Sequence, residues 1–444
     1  MGNGKTVKLR LLCIIAVCCM AAGLAGCTTF DSFKNTFIDQ NKKTAADPVI
    51  MIGVYEPLTG KNAEKGKQEV KGIELANSIY KNVDGYRVEL TKVDTQSKVS
   101  TAKTVIQGLI EMKPVAIIGS AGEASSLAAS EYINKAGIPA ITPSATNPLI
   151  TQKNGFYYRA CMTESQMGNG LAEYACGKLG SRKVGVISLR NDSNTAAILD
   201  GFDEKVKDIA GKRKNAVVYT SEINPTDEDM NKALNGIKKK KVDVCFAGMG
   251  TEAMDSFFTK AEEKELTDIT YLGTRSWGNS DFIAMMEKHP DIKVVFPYES
   301  VLSGSNSTSD AQTEEAQRFQ IEYSNRYGSD DIPTENAALG YDSYLILINA
   351  IHNAKSIEGD KIQSALGDIK NLKCATGIFS FDERGNVVRS VNLSTLKEGK
   401  AVSEYVTKTE TEAKSLDEIE QSADENGNDS TEENGILQPD SEDR

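Results

Sequence analysis

The chain has 444 residues, of which 39% are hydrophobic and 7% aromatic, a composition typical of a soluble globular protein. This length exceeds what one compact core usually holds, and it therefore predicts two lobes or domains. The formal net charge of −12 argues against a nucleic-acid partner, because phosphate binding needs a basic protein face.

The N-terminus has the features of an export signal. Basic residues precede an apolar run from Leu11 to Leu24, which has the length of a signal-peptide core and is short for a membrane-spanning anchor, the alternative reading. The stretch Leu24–Cys27, Leu-Ala-Gly-Cys, resembles a bacterial lipobox. This resemblance implies that residues 1–26 are a lipoprotein signal peptide. It also implies that Cys27 carries a lipid that anchors the protein to the cell membrane on its extracytoplasmic side. Residues 27–47 are polar and aperiodic, and we interpret them as a tether.

Short apolar runs then alternate with amphipathic stretches, a pattern that predicts strands separated by helices. In a first series we expect strands at Val49–Val54, Arg87–Val93, Ala116–Gly119 and Ile138–Thr142, with helices near 66–81, 100–112 and 125–135. In a second series we expect strands at Val184–Leu189, Ala216–Tyr219, Val242–Ala247 and Thr270–Gly273. Continuous apolar strands between helices predict parallel sheets covered on both faces, so the expected fold class is α/β with two lobes.

Three features are predicted in the C-terminal part. Pro333–Ala354 has the pattern of a long helix whose apolar centre, Tyr344–Ile348, is buried. Gly377–Leu393 has the pattern of a hairpin with its turn at Asp382–Asn386. Residues 409–444 contain thirteen acidic and two basic residues, and we expect this acidic tail to be disordered because it has too little apolar surface to fold.

The residues that usually carry catalysis or metal binding are sparse. The cysteines after Cys27 are Cys161, Cys176, Cys245 and Cys374. No pair has Cys-x-x-Cys spacing, so no zinc or redox site is expected, although a Cys161–Cys176 disulfide is left open. The two histidines, His289 and His352, lie near predicted helix C-termini, where a cation interacts well with the helix dipole. No hydrolase or metalloprotease motif is present, and the sequence predicts no catalytic residue, no metal and no cofactor.

Several motifs occur in a fixed order between Val49 and Val406. They are Ile52–Val54 with Glu56–Gly60, Val93–Asp94, Ile117–Ser120 with Ala124–Ser126, the loop GIPAITPSATNP at Gly137–Pro148, and Phe156–Arg159. Together they resemble the type I periplasmic binding proteins of the branched-chain amino-acid (Leu/Ile/Val) ABC-transporter family, in its lipoprotein form.

The resemblance implies two Rossmann-like lobes with parallel sheets, joined by a hinge of three crossovers, with the ligand in the cleft between them. It implies that residues 48–163 and 300–370 form lobe 1. It likewise implies that residues 164–299 and 371–408 form lobe 2.

Matching the family position by position gives candidate ligand contacts. Thr146 matches a threonine that contacts the amino-acid head group, and Ser144 lies where a backbone carbonyl accepts the ammonium, with Ala145 between them. Four positions depart from the family pattern. Glu123 stands where the family usually has a serine that binds the ligand α-carboxylate, and Arg275 stands where it often has an acid that binds the α-ammonium. Ser193 stands where the family commonly has an aromatic residue, and Lys65 lies near another such position.

These departures leave three readings open. In the first, the ligand binds in reversed orientation or is not a simple α-amino acid. In the second, Glu123 and Arg275 pair with each other across the cleft. In the third, the alignment with the family is shifted by one or two residues and Ser125 is the partner of the ligand carboxylate. Glu123 is also explained as an acid at a helix N-terminus and Arg275 as a surface charge. Trp277 is read either as lining the cleft or as a packed core ring.

The leading functional hypothesis is a solute-binding lipoprotein of an ABC importer, which binds a small polar ligand such as an amino acid and delivers it to membrane permease subunits. A ligand-sensing receptor with the same fold is the alternative. An enzyme and a scaffold that binds nothing are less favoured.

Overall fold

The computed structural model describes residues 48–152, 154–190, 192–210, 216–298 and 313–407. The predicted signal peptide, Cys27, the tether and the acidic tail lie outside these residues. Among the helices that the structure describes, none is long and apolar enough to cross a membrane.

The first sheet is built from the start of the described chain. Its strands are β1 (Val49–Glu56), β2 (Asn82–Val83), β3 (Tyr86–Asp94), β4 (Ala116–Ile118), β5 (Ala140–Thr142) and β6 (Tyr157–Arg159). They lie in the order β2-β3-β1-β4-β5-β6, and all neighbours except β2 and β3 are parallel. Three helices connect them: α1 (Ala63–Ile79), α2 (Val99–Glu111) and α3 (Glu123–Ala136). The central strands are continuously buried because helices cover both faces.

The chain then crosses into a second parallel sheet. Its strands β7 (Val184–Leu189), β8 (Val217–Ile223), β9 (Val244–Ala247), β10 (Thr270–Leu272) and β11 (Lys293–Pro297) lie in the order β8-β7-β9-β10-β11. The helices are α4 (Glu164–Ala172), which continues into a π-helical turn, α5 (Ser193–Ala210), α6 (Asp227–Lys240), α7 (Thr251–Glu263) and α8 (Ser280–Met286).

After β11 the chain returns to the first lobe. There it forms α9 (Glu314–Tyr327), α10 (Glu335–Ala354), α11 (Gly359–Gly367) and a small antiparallel sheet of β12 (Leu372–Cys374), β13 (Gly377–Phe381) and β14 (Val387–Val388). A third crossing leads to β15 (Asn392–Lys397) and β16 (Lys400–Val406), which extend the second sheet beside β11 as antiparallel strands. These three crossings join two α/β lobes, and the predicted fold class is confirmed.

The small sheet differs from the expectation that all of residues 371–408 belong to lobe 2. Its backbone donors at Ala375 and Thr376 hydrogen-bond to the buried carboxylate of Asp342 in α10, at 2.6 and 2.8 Å. The Arg159 amide at the end of β6 also donates to the Gly385 carbonyl. Residues 372–388 therefore pack on the first lobe. The predicted hairpin has its turn where expected, but its second arm is only two residues long.

The cysteines of the described residues are buried and free. Cys245 is an interior thiol, and Cys161 and Cys176 are free thiols, so the structure contains no disulfide between them. One cluster of buried side chains runs from Ile52 in the first lobe to Phe246 in the second, through Cys161 and Met162 at the first crossing. This continuous core holds the two lobes together at the hinge.

Candidate functional site

Charged side chains converge where the strands of the two lobes end. On the first lobe, Glu56 ends β1, Glu123 begins α3 in the connection after β4, and a turn at 144–147 follows β5. On the second lobe, Arg275 follows β10 and Glu164 begins α4 just after the first crossing. Carboxyl ends of parallel strands are where α/β folds place their ligands, and the two lobes here face each other across such ends.

Glu123 caps the turn after β5. Its Oε1 accepts from the Thr146 amide at 2.7 Å and from the Thr146 hydroxyl at 3.1 Å, and its Oε2 accepts from the Asn147 amide at 2.9 Å. As the first residue of α3, this carboxylate also lies at the positive end of a helix dipole. The interpretation of Glu123 as an acid at a helix N-terminus is consistent with this geometry, and the carboxylate also holds the turn that carries Thr146.

Lys65 caps the other end of the same turn. Its Nζ donates to the Ser144 carbonyl at 3.3 Å, while the Ser144 hydroxyl donates to Glu69. Lys65 and Glu69 are four residues apart in α1, so they lie on the same face of the helix. Ala145, between the capped ends, is buried: its amide donates to the Thr142 hydroxyl and its carbonyl accepts from the Cys161 thiol.

Arg275 pairs with an acid of the opposite lobe. Its Nη2 lies 2.9 Å from Oε2 of Glu335, the first residue of α10, and the two side chains are 21% and 18% exposed. The hypothesis that Arg275 pairs with Glu123 is thus replaced by a different interlobe ion pair. Sequence patterns did not single out Glu335, because an acid beginning a helix is common and its partner is sixty residues away.

Three other candidates lie elsewhere. Ser125 is buried in the first turn of α3. Ser193 begins α5, and its side chain lies outside what the structure describes. Trp277 is fully buried, stacks on Phe282 and donates to the Met249 carbonyl at 3.2 Å, so it is a core ring of the second lobe.

A buried pair of acids, Glu56 and Glu69, lies behind Lys65. Both side chains are inaccessible to solvent, and Glu56 accepts from the Ala121 amide at 2.6 Å. Burial raises the pKa of both carboxyls, and the charge of Glu69 raises the pKa of Glu56 further. Glu56 Oε1 and Glu69 Oε2 are buried without a hydrogen-bond partner among the described residues, which favours the neutral form of Glu56. The sequence signal for this pair is Glu56, an acidic residue directly after the apolar residues of β1.

Arg159 supports the turn from beneath. Its side chain is fully buried at the end of β6, and its guanidinium donates to the Thr146 carbonyl and, at 2.6 Å, to the Asn147 carbonyl. Sequence reasoning recognised this arginine only as part of a motif. Its donors satisfy two backbone carbonyls that burial would otherwise leave unpaired, and thereby fix the turn.

Comparison with known proteins identifies the family of this chain. The pattern of the family described as periplasmic binding protein matches residues 49–401. The chain belongs to this family. This match confirms the family expected from the motifs.

Individual relatives are similar over varying lengths. An "Amino acid binding protein" of Pseudomonas aeruginosa is 29% identical over 210 residues, which are 46% of this chain and 55% of that protein. A "Leu/Ile/Val-binding protein homolog 3" of Brucella melitensis is 22% identical over 361 residues, 78% of this chain and 90% of that protein.

Solved periplasmic binding proteins share the fold. A leucine binding protein LivK from Thermotoga maritima has a TM-score of 0.61 at 26% identity, covering 80% of this chain and 98% of that one. The branched-chain amino acid transporter substrate binding protein LivJ from Streptococcus pneumoniae, in complex with isoleucine, has a TM-score of 0.61 at 25% identity, covering 81% and 99%.

Proposed function

We propose that this periplasmic binding protein captures a small polar solute, an amino acid or a related compound, in the cleft between its lobes. It passes the solute to the permease subunits of an ABC importer. The observation that carries the proposal is the ring of charged side chains from both lobes, Lys65, Glu123, Glu164 and Arg275, at the carboxyl ends of the two parallel sheets. Several relatives are named for the amino acids that they bind.

The proposal includes a binding role without catalysis. Cys161 lies beneath the turn that carries Thr146, and burial raises the pKa of its thiol to about 12. A thiol protonated at neutral pH is a poor nucleophile. The charged residues of the cleft are held by hydrogen bonds and an ion pair that suit recognition of a polar solute.

The proposal also includes a membrane anchor. We propose that residues 1–26 are removed and that a lipid on Cys27 holds the protein at the extracytoplasmic face of the cell membrane. The sequence Leu-Ala-Gly-Cys supports this part.

The test of solute binding is thermal unfolding of the purified full-length protein in detergent micelles, with amino acids, small carboxylates and amides. A solute that binds only the native state stabilises it by about 2.7 kcal/mol at one hundred times its Kd. We expect at least one amino acid or related compound to raise the melting temperature. Thr146→Ala should weaken that binding by about 1 kcal/mol or more. A protein that no polar solute stabilises would contradict the proposed function.

A further inference from the structure

Four lysines at the outer end of the second lobe have no acidic partner among the described residues. Lys239, Lys240 and Lys241 follow one another where α6 ends, and Lys183 directly precedes β7. The parallel pairing of β7 with β9 brings the two groups together, and the Asp243 amide donates to the Lys183 carbonyl at 3.1 Å. All four lysines are exposed. We call these four residues the lysine patch.

The end of α6 does not account for these charges. A helix C-terminus attracts cations, but the last turn of α6 is capped by the backbone, because the Lys241 amide donates to the carbonyls of Ile237 and Lys238. The ammonium that does engage a carbonyl is that of Lys238, which donates to the Lys264 carbonyl at 2.8 Å and lies 3.6 Å from Glu265. The patch lysines therefore extend into solvent with their charges available.

Acids border the patch without neutralising it. Asp243 accepts a hydrogen bond from the Ser181 hydroxyl, and Glu265 pairs with Lys238. Asp268 precedes β10, one strand beyond β9. The outer end of the second lobe thus keeps an excess of positive charge around the starts of β7 and β9.

The complementary charge is on the same chain. The acidic tail, residues 409–444, contains thirteen acidic and two basic residues, so it accounts for −11 of the formal net charge of −12. Ten of its acids lie between Glu410 and Glu433. The tail follows Thr407, whose amide donates to the Val391 carbonyl at 3.0 Å beside the end of β16.

The tail is long enough to reach the patch. Val406 ends β16 at the hinge end of the second sheet, and the patch lies at the opposite end of that sheet beside β9, four strands away. A rise of about 3.3 Å per residue and a spacing of about 4.8 Å between strands separate the two points by roughly 30 Å. A flexible chain of the length of the tail has an end-to-end distance of roughly 30–36 Å. Because the two lengths match, the tail presents its acids to the patch at an effective concentration of about a millimolar.

The membrane surface is the other polyanion close to a protein with the proposed anchor. The chain enters the first lobe at β1, whose first residue lies at the end of the sheet that faces away from the cleft. The lysine patch lies at the end of the second sheet that faces away from the cleft. A lipid on Cys27 would therefore hold the pole of the molecule opposite to the patch. This placement favours the tail over lipid headgroups as the partner.

We propose that the acidic tail binds the lysine patch of its own chain. The contact consists of several exposed charge pairs, each of them weak, so it depends on their number and is weakened by salt. Bound there, the tail neutralises the positive end of the second lobe and limits its attraction for other polyanions. This inference depends neither on the cleft nor on the solute.

Competitive acetylation of the full-length protein in detergent micelles tests the contact. Mass spectrometry measures the reactivity of each lysine in wild type and in a tail variant, in which each Glu becomes Gln and each Asp becomes Asn from Glu410 to Glu433. At low ionic strength we expect the patch lysines to react at least about threefold more slowly in wild type, because a tail at an effective concentration of about a millimolar covers them most of the time. The difference should disappear in about 1 M salt, where the Debye length is about 3 Å.

Lys113 is the matched control for Lys241. It is an exposed lysine just after α2, and its φ of 56° is close to the 54° of Lys241, so both side chains start from the same left-handed backbone. Its reactivity should be the same in both proteins. Equal reactivity of the patch lysines in wild type and tail variant would overturn the inference, as would equal protection of Lys113. Protection that increases with protein concentration would assign the contact to the tail of another copy and would also overturn it.

Substitutions on the patch provide a second measurement. The triple variant Lys239→Gln, Lys240→Gln and Lys241→Gln should be cleaved in its tail by a glutamate-specific protease about twofold faster or more, the effect of losing three weak charge pairs. Lys113→Gln should be cleaved at the rate of wild type. Unchanged cleavage of the triple variant would contradict the contact.

Labelling in vesicles distinguishes the tail from lipid. The tail variant is acetylated in vesicles of phosphatidylcholine with and without phosphatidylglycerol. We expect its patch lysines to react equally fast in both. Protection that appears only with phosphatidylglycerol would assign the patch to the membrane surface and overturn the inference.

Discussion

At the scale of single residues, His289 is held in an unusual environment. Its ring is 3% exposed, Nδ1 lies 3.0 Å from Oε1 of Glu262, and Nε2 lies 3.0 Å from Oδ1 of Asp255. Each ring nitrogen is within hydrogen-bond distance of a carboxylate oxygen, and a ring N–H donates to at least one of them in either tautomer. The sequence predicted a histidine near a helix end, which is correct for its position after α8. Its two partners come from α7, and no local pattern reveals that.

Replacing this histidine should destabilise the protein with a defined pH dependence. We expect His289→Leu to cost about 1–2 kcal/mol at neutral pH, because the buried ring no longer contacts the two carboxylates, each of which is about a third exposed to screening solvent. Hydrogen bonds from Lys288 and His289 hold the pKa of Asp255 below its usual range. The stability that Asp255 contributes is present above its unfolded pKa and is lost as pH falls through the lowered folded pKa.

Urea denaturation at pH 7 and at progressively lower pH measures both effects. The difference between wild type and His289→Leu should shrink as Asp255 is protonated. His352→Leu is the comparison variant, because that histidine pairs with Asp84 at 2.8 Å but is about a quarter exposed, and it should cost less. Equal losses in the two variants would show that burial does not strengthen the His289 interactions.

At the scale of elements, the contact between α1 and α10 depends on two glycines. A Cβ on Gly72 would lie 1.8 Å from the Ala337 carbonyl oxygen, and one on Gly340 would lie 2.2 Å from the Glu69 carbonyl oxygen. The backbones of the two helices therefore touch at these points. Because α1 carries Lys65 and Glu69, this crossing also sets where the cleft residues lie.

Gly340→Ala should push α10 away from α1 and destabilise the protein by about 1–3 kcal/mol, the usual cost of overpacking. Gly108→Ala, in α2, is the matched control, since a Cβ there meets nothing within 4 Å. That substitution should leave stability unchanged or raise it by up to about 1 kcal/mol, because alanine is the better helix former. Chemical denaturation measures both, and a neutral Gly340→Ala would show that the helices separate easily.

The helices and strands were largely predictable from the sequence, whereas the contacts between distant segments were not. Continuous apolar runs identified β1, β7 and the buried centre of α10, because burial on both faces leaves a direct sequence signature. The partly buried β3 was also predicted. The placement of β12–β14 on the first lobe depends on Asp342 binding the Ala375 and Thr376 amides, a contact between distant segments. In the cleft, Ser144 and Thr146 were identified by a motif, but Glu69, Arg159 and Glu335 were missed. Polar residues inside helices and strands have no distinctive spacing.

At the scale of the whole molecule, the Arg275–Glu335 ion pair connects the two lobes at 2.9 Å. Lobe closure is the motion expected of such a cleft, and an interlobe pair that forms on closure favours the closed state. We expect Glu335→Gln to raise the radius of gyration measured by small-angle X-ray scattering without added solute. We also expect it to weaken solute binding by about 0.5–1 kcal/mol.

Reversing the pair, with Arg275→Glu and Glu335→Arg together, should recover part of the closed population that either single charge reversal loses. This double variant separates the interlobe attraction from an independent role of each residue. If scattering is unchanged in all variants, the pair does not influence closure. Glu111→Gln, an exposed acid at the end of α2, is the control for altered net charge.

The proposed membrane anchor also concerns the whole molecule. We expect Cys27→Ala to move the protein from the membrane fraction to the soluble or secreted fraction, because the lipid acceptor is lost. Cys245→Ala is the control: this variant keeps Cys27 and should remain in the membrane fraction. The smaller alanine leaves a cavity at the buried site and lowers the stability of the protein. Retention of Cys27→Ala in the membrane at the level of wild type would contradict the lipid anchor.

The buried free cysteines have a practical consequence for handling and measurement. Burial raises the thiol pKa of Cys161, Cys176, Cys245 and Cys374, and none of these thiols is exposed. Their oxidation and alkylation require the surrounding core to open, so the fold does not depend on the redox potential of its compartment. The rate at which an alkylating reagent modifies each thiol therefore reports how often that part of the core opens. Cys161 reports on the hinge and Cys245 on the second lobe, within one unmodified molecule.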